Sequence, residues 1–89
     1  MQTIELLDKA VRHSKSERAL SIELGLDPSA LAVARKRGKL STSLAIVLAA
    51  HEGEDVAKWA IQAEEENEKS EPLRRSLVAI KRAITNRIS

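Results

Sequence analysis

The chain has 89 residues, a formal net charge of +2, one aromatic residue (Trp59), three glycines, two prolines and no cysteine. This length argues for one small domain with room for an appendage. The composition argues against an all-β fold and excludes disulfides, zinc fingers and thiol chemistry. It points instead to an all-α protein whose helices pack closely through Leu, Ile, Val and Ala.

No apolar run approaches the ~18 residues that span a bilayer, and the N-terminus lacks a secretory hydrophobic region. The expectation is a soluble cytoplasmic protein with no membrane partner. Charge falls in three blocks. Residues 1–50 hold eight Lys/Arg against five Asp/Glu, residues 51–71 two against eight, and residues 72–89 five against none. A basic front, an acidic waist and a basic tail permit a polyanion partner.

The first helix is predicted from Thr3 to about His13, with Ile4, Leu7 and Val11 as its apolar stripe, widened by Leu6 and Ala10. Arg12 and His13 near its end complement the helix dipole. The second spans Glu17 to Leu24, capped by Ser16 or by a Ser14–Glu17 box. Gly25 ends it. The third carries the clearest signals. Asp27 is a cap type, Pro28 suits the first helical position, and Ala30, Leu31 and Ala34 form the inner side. Arg35, Lys36 and Arg37 precede its stop at Gly38.

The fourth helix, Thr42 to His51, is capped by Ser41. It is apolar nearly all round, which predicts a central buried rod. Gly53 closes it. The fifth starts near Asp55 and runs to about Glu66, with Val56, Trp59, Ala60 and Ala63 on one face and Trp59 as a core or interface plug. Glu64–Glu71 has little to bury and reads as a fraying, solvated end and linker. The sixth helix begins at Pro72. Leu73, Leu77, Ile80, Ile84 and Ile88 repeat on one face, with Arg74, Arg75, Lys81, Arg82 and Arg87 on the others.

A steep helix pair needs a small residue at its crossing, a sharp turn four residues later and apolar residues facing inward. Ser21, Gly25 and the set Leu20, Leu24, Leu26, Leu31 and Ala34 meet these needs within Glu17–Lys36. This stretch resembles a helix-turn-helix, and the order of five helices over residues 3–66 is similar to the Cro and lambda-repressor type of DNA-binding domain. The opening Thr3-Ile4-Glu5-Leu6-Leu7-Asp8 also looks similar to small phage-related proteins of this class. Ser21 stands where Ala is more usual, and Ala34 is smaller than the usual buried residue.

The resemblance implies a lambda-repressor-like domain over residues 1–66, with a linker and amphipathic helix over 67–89. It also implies a transcriptional regulator, expected to be a phage or prophage repressor, that inserts the helix over about 28–37 into the major groove of double-stranded DNA. The DNA-facing positions would be Asp27, Pro28, Ser29, Ala32, Val33 and Lys36. Ser29 would bond a phosphate or base edge, the Ala32 and Val33 methyls would pack on thymine methyls, and Lys36 would reach a guanine or phosphate. Arg35, Arg37 and Lys39, with Lys15 and Arg18, are expected to clamp phosphates. A homodimer would read two half-sites.

The sixth helix must bury its stripe, because an isolated helix of this length is marginal in water. Self-association through Leu73, Leu77, Ile80, Ile84 and Ile88, and folding back on the body, are both open. Residues 72–89 also offer a docking surface for a protein partner. A second reading is therefore a protein-interaction module, or the antitoxin of a toxin–antitoxin pair, that docks through this helix.

No enzyme is indicated. There is no Gly-rich phosphate loop, and no Ser/His/Asp set that the pattern brings together. No cofactor is expected. His51, Glu52, Glu54 and Asp55 lack known metal-ligand spacing, and both histidines read as helix-end residues.

Overall fold

The computed structural model describes residues 2–88, and side chains through residue 86. The described residues form six helices and no strand: α1 (Thr3–Ser14), α2 (Glu17–Leu24), α3 (Pro28–Arg37), α4 (Thr42–His51), α5 (Val56–Asn67) and α6 (Glu71–Ile88). The all-α expectation holds. None of the described helices is long and apolar enough to cross a membrane.

Local chemistry sets most of the boundaries. The side chains of Ser16, Asp27, Ser41 and Asp55 accept the backbone N–H of Ala19, Ser29, Leu44 and Lys58 at 3.0, 2.9, 3.3 and 3.0 Å. Caps of this kind stabilise a helix by about 1 kcal/mol each. Of the two alternatives for α2, Ser16 is the cap, while the Ser14 hydroxyl donates to Glu23 at 2.9 Å. Lys15 follows α1 in the left-handed region, with φ 76°.

The core gathers Leu6, Leu7 and Ala10 of α1, Leu20 of α2, Leu31 and Ala34 of α3, Ala45, Leu48 and Ala49 of α4, and Trp59 and Ala63 of α5. Leu40, in the loop before α4, is also fully buried. Trp59 is a core residue whose Nε1–H donates to Glu54 at 3.2 Å. α5 is the hub, packing against α4, α6 and α1.

The molecule measures 37 × 29 × 17 Å. α4 packs against α5 and α1, and no described helix covers its opposite side. That corrects the expectation of a fully buried fourth helix. α4 buries Ala45, Leu48 and Ala49 but leaves Ile46, Val47 and Ala50 exposed. Val56, expected on the core face of α5, is likewise exposed.

The acidic stretch is also not a frayed linker. α5 stays helical to Asn67 and only residues 68–70 separate it from α6. The Glu66 carboxylate accepts the Thr3 backbone N–H at 2.7 Å and the Thr3 hydroxyl. The Thr3 hydroxyl oxygen accepts the buried Leu40 N–H at 2.9 Å, and Asn67 Nδ2 donates to the Leu40 carbonyl at 2.9 Å. Glu64 accepts the Thr42 hydroxyl at 2.6 Å. Glu65 pairs with Lys81 of α6 at 2.7 Å. The end of α5 thus pins the start of α1, the α3–α4 loop and α6.

Candidate nucleic-acid interface

The α2–α3 elbow is a Schellman turn. Leu26 N–H bonds the Ser21 carbonyl at 2.8 Å and Gly25 N–H bonds the Ile22 carbonyl at 3.1 Å. Gly25 sits at φ 71°, which a residue without Cβ adopts freely. Ser21 is fully buried and its hydroxyl donates to the Glu17 carbonyl at 3.0 Å, so the small residue occupies an interior position with its polar atom satisfied.

α3 packs mainly against α2. Leu31 and Ala34 are its buried side. Ser29, Ala32, Val33 and Lys36 are all exposed on the opposite side, and Pro28 is exposed at its start. The Asp27 carboxylate accepts both the N–H and the hydroxyl of Ser29, at 2.9 and 2.8 Å. Those bonds lower its pKa. The Ser29 hydroxyl proton is therefore engaged, which leaves the exposed oxygen to act as an acceptor.

The basic residues divide into two groups. Arg35 turns back toward the body, where its guanidinium bonds Glu17 at 2.9 Å and Asp8 at 2.8 Å. The Glu17 bond, then the Asp8 bond, raises its pKa. Arg37 reaches the Asn67 side-chain oxygen at 3.4 Å, and Lys39 the Glu66 carbonyl at 3.3 Å. The side chains of Lys36, Lys15 and Arg18, by contrast, form no hydrogen bond or ion pair among the described residues, and all three residues are exposed. Lys15 and Arg18 flank the α1–α2 turn. Because Glu17 bonds Arg35, the start of α2 lies beside the last turns of α3.

α6 lies against α5. Lys81 anchors it through Glu65 and through Gln62 at 2.8 Å. Leu77 and Ile84 are half-buried, whereas Leu73 and Ile80 remain 56% and 47% exposed. The Ile88 side chain lies outside the described residues.

One cluster was not legible as such in the sequence. Glu52, just past α4, has a side chain only 2% exposed. It accepts from His51 Nδ1 at 2.7 Å and also bonds His13 Nδ1 of α1. His51 Nε2 lies 3.3 Å from Glu23 of α2. The histidines are thus ties between α1, α2 and α4 rather than mere helix-end residues. Hydrogen bonds to Glu52 and then Glu23 raise the His51 pKa. Burial pushes the Glu52 carboxyl up, but the bonds from His51 and His13 outweigh it and the pKa is lowered. Among the described residues no three His, Asp or Glu are arranged to hold a metal ion. Comparison with protein-family models, with curated proteins and with solved structures finds no match to this chain.

Proposed function

We propose that the chain is a sequence-specific double-stranded DNA-binding protein of the helix-turn-helix kind, resembling Cro and lambda-repressor domains, and that it acts as a small transcriptional repressor of phage type. α3 enters the major groove. The methyls of Ala32 and Val33 meet thymine methyls, and the Ser29 oxygen accepts from an exocyclic amine of adenine or cytosine. Lys36, Lys15 and Arg18 hold phosphates, which supplies most of the affinity. Arg35 instead locks α3 against α1 and α2. Repression follows from occluding polymerase.

The observation that carries this reading is the outer side of α3. It is exposed beyond a glycine elbow, and Lys36 on it has no anionic partner among the described residues. The test is fluorescence anisotropy on random duplex DNA between roughly 50 and roughly 200 mM salt. Affinity should fall steeply over that range. The slope of log K against log salt should flatten by about 0.9 for each of Lys15, Arg18 and Lys36 changed to Ala. No binding at the lowest salt removes the reading.

The exposed Leu73 and Ile80 support a homodimer through α6, so that two copies of α3 address two half-sites one helical turn apart. Light scattering should give a dimer mass that Leu73→Asp with Ile80→Asp reduces to a monomer. A monomer in the unaltered chain refutes this dimer.

A further inference from the structure

An apolar groove of about 310 Å³ lies between α3 and α4. Leu26, Ala30, Ala34 and Leu44 line it, together with Val33 and Val47, which are 55% and 44% exposed. Arg37, Lys39, Ser41 and Ser43 complete the lining, which contains no carboxylate. The bonds from Arg37 and Lys39 go to an amide oxygen and a backbone carbonyl, and among the described residues no carboxylate pairs with either cation.

We infer that this groove docks an acidic amphipathic helix of a partner protein. An amphipathic helix laid in a groove seats apolar anchors at positions i, i+3 or i+4 and i+7, and the valines and leucines here supply the matching wall. Glutamates or aspartates flanking those anchors meet the two cationic heads. Charge complementarity governs the choice of partner as well as its encounter rate. It also excludes α6 of a second copy, whose apolar edge is flanked by Arg74, Arg75, Lys81 and Arg82. A phosphate backbone satisfies the cations but leaves the apolar floor unfilled. The inference does not depend on DNA binding, and its test contains no DNA.

The test titrates the isotope-labelled full chain with a synthetic amphipathic peptide of Leu and Glu, about 18 residues long, whose helix is completed as its Leu face is buried in the groove. A control peptide replaces every Glu by Lys. Amide shifts should concentrate at Val33, Leu44 and Val47 with the Glu peptide only. Val47→Asp and, separately, Arg37→Glu should each weaken binding about tenfold, with the helical signal of the free protein retained. Val47 is an exposed site, and if that variant fails to fold, Arg37→Glu decides. The inference is overturned by absent shifts at these residues, by equal binding of the Lys peptide, or by shifts confined to Leu73 and Ile80. Groove shifts that follow protein concentration without peptide also overturn it, because the occupant is then a second copy.

Discussion

Raising the pH should loosen the tie that joins α4 to α1 and α2. The chain has no cysteine or tyrosine, so between about pH 5.5 and about pH 8.5 histidine is the side-chain type whose charge changes. The folded His51 pKa is raised above its ordinary 6.5. Its stabilisation is therefore complete below pH 6.5 and is lost as pH rises through the higher folded value. The folded Glu52 pKa is lowered from 4.5. Its contribution is complete above that value and is lost as pH falls through the folded one. Both act between pH 4.5 and 6.5, and stability declines on the alkaline side.

A charge-assisted hydrogen bond contributes about 1.5–3 kcal/mol and a neutral one about 1. The Glu52 side chain is almost wholly buried, but His13 remains largely exposed, which favours the lower end. That difference is about 0.5 kcal/mol for each of the two His51 bonds, to Glu52 and Glu23, so the expected loss is about 1 kcal/mol, or roughly 4–8 °C in Tm for a chain of this size. Thermal melts followed by circular dichroism at the two pH values measure it. Glu52→Gln removes the carboxylate and should flatten the dependence. An equal or higher Tm at the alkaline pH refutes the reasoning, and so does a decline of the same size in Glu52→Gln.

Thr3→Val preserves shape at a fully buried site but leaves the Leu40 N–H without its acceptor and removes the hydroxyl donor to Glu66. It should destabilise the fold by about 2 kcal/mol, read as a lower urea midpoint, and an unchanged midpoint contradicts the pinning role of the α5 end. Arg35→Ala and Lys36→Ala should separate. The first removes two partly exposed ion pairs and lowers stability by roughly 0.5–1 kcal/mol, whereas the second leaves the melt unchanged and weakens DNA binding. Loss of DNA affinity without loss of stability in Arg35→Ala would return that guanidinium to the phosphate-binding set.

The chain read residue by residue predicted the helical class, all six helices and the elbow at Gly25. Caps, Pro28 and left-handed glycines act on neighbours within four positions, and such signals stay visible in a string. Apolar spacing likewise identified Leu6, Leu7, Leu20, Leu31 and Trp59 as core. The same string misassigned groups whose partners lie far along it. Thr3 and Glu66 are 63 positions apart, and His13 and Glu52 are 39 apart. No periodicity links them, so the acidic stretch read as solvent-facing and the histidines as isolated. Arg35 and Lys36 are adjacent, yet the helical turn of about 100° between them sends one to Asp8 and Glu17 and the other outward. The one-sided burial of α4 followed from where α1 and α5 pack against it, a property of how the helices stack. Side-chain direction and long-range pairing are settled when helices meet, and only the tertiary structure carries that information.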